Sequence, residues 1–166
     1  MRIIDSHCLF GRWPKEPRDA SLPALLAALD RLGIDKGVCV SLRGVFLGHE
    51  EGNDETLRVC ADQPRLVPAG TINPLGYHSR QNLTAELAAR GFRMLRLFPR
   101  EQGWTPHNVV LERILHECVE AGLSVAFPIG KFADIGSALG RIAPEGCRVI
   151  LSDVYYLAMT ECLEVL

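Results

Sequence analysis

The residues best suited to chemistry gather near the start of the chain, in Ile3-Ile4-Asp5-Ser6-His7-Cys8-Leu9-Phe10-Gly11. An apolar run closing at Asp5 reads as a first strand, which puts Asp5 and His7 where that strand meets its following loop. His7 could bind a metal or move a proton, because imidazole is neutral and keeps a lone pair near neutral pH. A hydrogen-bonded structural histidine is the competing reading. Cys8 has no identifiable activating base and reads as an ordinary buried thiol. Arg43 and His49 lie in a long segment, 41–52, and either line a substrate entrance or are plain loop residues. Trp13 and Trp104 either cover the rim of a pocket or pack over a hydrophobic edge. Asn53-Asp54-Glu55 reads as a helix start, with Asn53 as cap and acidic side chains in the first turn. His78, His107 and His116 show no ligand spacing and are assigned to turns or to a helix surface.

Short apolar runs rich in Ile, Val, Leu and Phe must position these residues. Strands are expected at Arg2–Asp5, Gly37–Leu42, Leu66–Thr71, Phe92–Leu97, Ser124–Phe127 and Arg148–Leu151. Between them, Leu22, Leu25, Leu26, Leu29 and Leu32 recur at helical spacing before Gly33. Leu83, Leu87 and Ala88 lead into Gly91 in the same way, and Val109, Val110, Ile114, Leu115, Cys118 and Val119 lead into Gly122. The glycines read as helix stops. Shorter helices are expected at 53–61, 132–142 and 157–166, and 11–20 reads as a Pro-punctuated loop. Strands alternating with helices predict about six βα units with a mainly parallel sheet. Such units build either an open doubly wound sheet or part of a closed barrel, and counting does not choose between them. In either case ligands are expected at the carboxyl ends of the strands.

The bulk composition narrows the partners. The chain has 166 residues, 48% hydrophobic and 23% charged, with a mean hydropathy of +0.10. That is too apolar for a disordered chain, yet it contains no uninterrupted apolar run of about 18 residues, the length of a membrane span. No linker divides it, so residues 1–166 are expected to form a single domain. Eighteen Lys and Arg against twenty Asp and Glu give a formal charge of −2. The basic residues are dispersed and form no stripe along which a phosphate backbone could lie, so nucleic acid is not an expected partner. The six cysteines contain no CxxC pair and sit among apolar residues, which predicts buried thiols in a reducing, cytoplasmic setting. After Arg2, the apolar run before Asp5 is only Ile3 and Ile4, far short of a signal-peptide core.

The segments IIDSHCLFGRWP, RLGIDKGVCVSL, Asn53-Asp54-Glu55, PRLVPAGTINP, GFRMLRLFP and CRVILSDVYY together resemble the amidohydrolase-related family of metal-dependent hydrolases and decarboxylases. The resemblance covers almost the whole chain. It implies an α/β, TIM-barrel-like (β/α) fold with a metal centre at the carboxyl ends of the strands, and it favours a barrel over an open sheet. With about six units, the barrel is expected to be incomplete relative to eight, since a full barrel usually takes about 250 residues. An open barrel edge would invite a homo-oligomer.

The resemblance also assigns residues. His7 matches the first ligand of the family's Asp-x-His-x-His signature, whereas the second falls on Leu9, which has no lone pair to donate. The fifth-strand histidine falls on Pro128, and the sixth-strand histidine on Asp153, which retains ligand capacity. The implied metal residues are therefore His7 and Asp153, for Zn or Mn. The eighth-strand Asp of the family falls beyond Leu166. Arg96 occupies the fourth-strand place where some relatives carry a basic or metal-bridging group, and its planar fork suits a bidentate carboxylate. A salt bridge or a surface position is the alternative. Asp153 would orient His7 or accept its proton; the alternative is that it caps the last helix.

The expected function is thus hydrolysis or decarboxylation of a small carboxylated molecule, with Asp153 and Arg96 as catalytic residues. Arg96, Arg43 and Trp13 are the expected substrate contacts. The alternatives are a non-catalytic binding or scaffold protein, favoured by Leu9 and Pro128, and a fragment of a longer hydrolase.

Overall fold

The computed structural model describes residues 1–14, 17–79, 82–105, 107–128 and 134–153. Contacts group the chain into two compact units, Met1–Thr71 and Ile72–Leu166.

In the first unit, β1 (Ile4–Arg12) and β3 (Lys36–Ser41) run parallel, with Cys8 opposite Cys39 and Phe10 opposite Ser41. β4 (Leu66–Pro68) extends the sheet in parallel beside β3. The end of β1 turns back antiparallel onto β2 (Asp19–Ala20), giving the order β2-β1-β3-β4. α1 (Leu22–Arg31) starts where Ser21 Oγ accepts the Ala24 N–H and where Pro23 needs no hydrogen-bond partner. It stops at Gly33, whose φ of +63° is the left-handed conformation that glycine adopts without strain. Side chains alternate across β1, so Cys8 and Phe10 pack with Cys39, Leu66 and Leu29 of α1 in one core, while His7 and Leu9 face the other way.

Four expectations for this unit change. β1 runs nine residues, to Arg12, so His7 lies inside the strand and not at its end. A strand with one buried face alternates, and the polar residues of Asp5-Ser6-His7 broke the apolar run that marked it in the sequence. The ends of segment 11–20 are correspondingly paired antiparallel, Gly11 with Ala20 and Arg12 with Asp19. Segment 41–52 is not a loop: it holds α2 (Leu42–Phe46) and the start of α3 (His49–Asp62). Arg43 and His49 are helical residues, and Asn53 sits inside α3, which is capped by Gly48. Gly44, Gly48 and Gly52 lower helix propensity and hid both helices. Two of these glycines are required by packing, because a Cβ on Gly52 would stand 2.1 Å from the Gly44 backbone.

The second unit holds a parallel sheet in the order β5 (Met94–Arg96), β6 (Ser124–Pro128), β7 (Val149–Ser152). α4 (Leu83–Ala89), α5 (Pro99–Gln102), α6 (Val109–Glu120) and α7 (Asp134–Ile142) accompany it. Asn108 caps α6 by accepting the Val110 N–H at 2.9 Å. α6 buries Leu111, Ile114, Leu115 and Cys118 along one stripe and packs on β6 and α4. Each fully buried leucine or isoleucine contributes about 1.5–3 kcal/mol, more than any difference in helix propensity, so packing holds this helix in place. The six expected parallel strands are all present, and the expected helix at 157–166 lies outside the described residues. Among the described residues, no helix is long and apolar enough to cross a membrane.

Candidate functional site

The two strand ends of the first unit open into a cleft of about 820 Å³. One wall is the β1–β2 hairpin, with Gly11, Arg12, Trp13 and Arg18; the facing wall is α2 with Arg43 and Phe46, and Glu55 comes from α3. The position follows from the chain path: parallel strands deliver their next loop or helix at the carboxyl edge, where side chains are free to vary.

α2 is held in place from Ser41, the last residue of β3. Its hydroxyl accepts the Arg43 N–H at 3.1 Å and donates to the Glu55 carboxylate at 2.5 Å, while its own N–H donates to Thr56 Oγ1 at 3.0 Å. Behind α2, the Asn53 carboxamide donates to the Thr71 carbonyl and accepts the Thr71 N–H, each at 2.9 Å. Trp13 meets Phe46 edge to face across the cleft, with ring centroids 5.4 Å apart at 74°, the arrangement that aromatic quadrupoles prefer. Three arginines and one glutamate thus line an aromatic-walled cleft. That composition attracts a planar anion: guanidinium forks pair with carboxylates, and indole and phenyl faces cover the rest.

Trp13 and Arg43, both expected as substrate contacts, are brought together here. Arg12, Arg18 and Phe46 were not singled out from the sequence as site residues, and Glu55 only as part of a helix start. The two arginines flanking the Pro-punctuated segment after the first strand were the signal available for the first two.

The other candidates lie elsewhere. β1 and β3 slip register between Asp5 and Cys8, and the His7 N–H freed by this bulge donates to Asp5 Oδ1 at 2.8 Å. Asp5 is therefore a support of the bulge, and His7 is partly buried within it. In the second unit, Arg96 ends β5 and is 2% exposed, its guanidinium carbon 5.0 Å from the Phe98 ring centroid. The surface alternative for Arg96 is thereby removed. Asp153 follows β7 and is exposed, with φ +55°, a conformation that Asp tolerates better than most side chains. The helix it was alternatively expected to cap lies outside the described residues. Trp104 is buried against Phe127, with centroids 5.9 Å apart, and so takes the packing role.

A Zn or Mn centre at His7 and Asp153 does not fit the donor set. Catalytic zinc takes about three protein ligands. Leu9 and Pro128 stand where the resemblance puts histidines, and among the described residues no three His, Cys, Asp or Glu side chains gather as a metal would require.

No protein-family model matches the chain, and no curated protein matches it. Solved structures do. A proposed 2-pyrone-4,6-dicarboxylic acid hydrolase from Pseudomonas putida aligns with 90% of the chain at 21% identity and a TM-score of 0.63. A second protein proposed to have that activity, from Acinetobacter baumannii with citric acid bound, aligns with the whole chain at 16% identity and a TM-score of 0.64. A TIM-barrel protein from Bordetella bronchiseptica aligns with 99% of the chain at 15% identity and a TM-score of 0.66. The chain spans 56%, 67% and 71% of these three proteins respectively. At such identities the likeness establishes the fold, which is that of a TIM-barrel protein represented in part. The expectation of an incomplete barrel and not an open sheet is met.

Proposed function

We propose that this chain is hydrolase-like, of the amidohydrolase-related kind, and that it binds a small carboxylated molecule in the cleft at the carboxyl ends of β1 and β3. The observation that carries the reading is the convergence of Arg12, Arg18 and Arg43 on a cleft walled by Trp13 and Phe46. Arg43 is the proposed carboxylate anchor, since the Ser41 hydroxyl fixes the first turn of its helix, and Trp13 covers the ligand. The solved neighbours support the chemical class: two carry the name of a dicarboxylic acid hydrolase, and one of these holds citric acid. Arg96 and Asp153 are proposed as catalytic residues of the second unit taken by itself, a guanidinium suited to steadying a carboxylate and a carboxylate suited to accepting a proton. Cytoplasmic residence agrees with the five described cysteines, all of which are unbonded.

Tryptophan fluorescence, titrated with 2-pyrone-4,6-dicarboxylate and with citrate, tests the reading. Saturable quenching is expected, weakened about 10- to 100-fold by Arg43→Ala, as for the loss of one charge-assisted pair. Absence of quenching by either ligand, or equal affinity in the variant, would overturn it. Loss of the pyrone absorbance reports ring hydrolysis, and released carbon dioxide reports decarboxylation. A non-catalytic binding role is the second reading, favoured by Leu9 and Pro128, and binding without turnover would establish it.

A further inference from the structure

Cys39 of β3 and Cys60 of α3 lie with their sulfurs 3.5 Å apart, in van der Waals contact, although they are twenty-one positions apart in sequence. The two cysteines differ in access. Cys39 is fully buried, whereas Cys60 is partly exposed at the edge of the same core.

We propose that Cys39 and Cys60 form a redox-active dithiol that closes to a disulfide by exchange with a small-molecule disulfide such as that of glutathione, fastening the segment that carries α2. This does not depend on what the cleft binds. The segment between the two cysteines contains Leu42, Arg43, Phe46, Leu47 and Glu55, all of which line the cleft, so the bond would tie that wall to β3.

The order of events follows from the environment. The hydrogen bond between the two thiols holds Cys60 below its ordinary range and, together with burial, pushes Cys39 up. Cys60, the one of the two sulfurs within reach of a small molecule in solvent, is therefore the attacking sulfur. Its thiolate attacks one sulfur of the small disulfide, forming a mixed disulfide and expelling one thiolate. Cys39 then attacks Cys60 Sγ, its proton passing to the second departing thiolate. The two protein thiols are oxidised by two electrons in total, and one small disulfide is reduced to two thiols. The sulfurs must approach by about 1.5 Å to reach the usual bond length of ~2.05 Å. The remaining described cysteines are poorer candidates. Cys8 and Cys118 are buried, the latter pushed up to about 12 by burial, and burial also raises Cys147.

The test is to incubate the folded chain with oxidised glutathione, quench by alkylation, and map the tryptic peptides. Cleavage after Lys36, Arg43, Arg58 and Arg65 separates Cys39 in GVCVSLR from Cys60 in VCADQPR, and both from Cys8. The expected result is a cross-link between those two peptides, a loss of two alkylatable thiols, and no retained glutathione. Dithiothreitol should reverse it. Cys60→Ser, at a partly exposed position, should abolish the cross-link, and Cys39→Ser should stop at a glutathione adduct on Cys60. A stable adduct on Cys60 of the unaltered chain would overturn the proposal. So would a cross-link to Cys8, or retention of both thiols.

Discussion

Asn53 carries more of the fold than its place in an acidic helix would suggest. Its carboxamide answers both backbone groups of Thr71, and both residues are buried, so no water replaces a lost bond. Asn53→Ala deletes the pair and leaves a buried donor and acceptor unanswered, at about 1–3 kcal/mol for each group left unsatisfied. Urea unfolding should show a loss of roughly 2–4 kcal/mol. Asn53→Asp keeps the acceptor but loses the donor, and should fall between that variant and the natural chain. A loss below ~0.5 kcal/mol for the alanine variant would mean that Thr71 is held by something else. The sequence marks Asn53 as polar and next to two acids, which is the signature of a helix cap. Its true partner lies eighteen positions on, and no local pattern encodes that distance. His7 shows the same limit: its residue type was legible, while the bulge that sets its orientation arises from the register of β1 on β3.

At the scale of elements, the crossing of α2 and α3 decides where Arg43 stands. Gly44 and Gly52 let the two helix backbones touch, and a Cβ at Gly52 would fall 2.1 Å from Gly44 Cα and N. Neither atom belongs to a flexible side chain that could turn aside. Gly52→Ala gains about 1 kcal/mol in helix propensity, yet must force the helices apart, and overpacking of this kind costs about 1–3 kcal/mol or more. The steric term wins. The variant should lower the melting temperature and also weaken ligand quenching of tryptophan fluorescence, because α2 carries Arg43 and Phe46. An alanine variant at least as stable as the natural chain would refute this account. Long elements were legible where periodicity had room to show: α1, α4 and α6 fall where their leucine spacing puts them, and the stops at Gly33, Gly91 and Gly122 all have positive φ. α2, with five residues and a central glycine, offers no period to read.

The whole molecule is close to neutral, and the described part of its second sheet has β7 as an outer strand. Outer strands present unpaired backbone groups that readily accept a neighbour. We propose that such an edge allows this chain to associate into a homo-oligomer. Light scattering should return a mass that is a multiple of 18.3 kDa. A single-chain mass across the accessible concentration range would refute it. The same low charge predicts no salt-dependent retention on duplex DNA.

The sequence by itself determined the alternation of strands and helices, the mainly parallel order that follows from it, and the glycine stops of α1, α4 and α6. These depend on local periodicity and on glycine's freedom of φ, which act over a few residues. Tertiary structure alone decided which side chains meet. Arg12, Arg18 and Arg43 share a cleft, Asn53 clamps Thr71, and Cys39 touches Cys60, because parallel strands bring residues from separate loops to one sheet edge or one core. Such meetings depend on register and packing between distant segments, and a linear pattern of residue types does not record them.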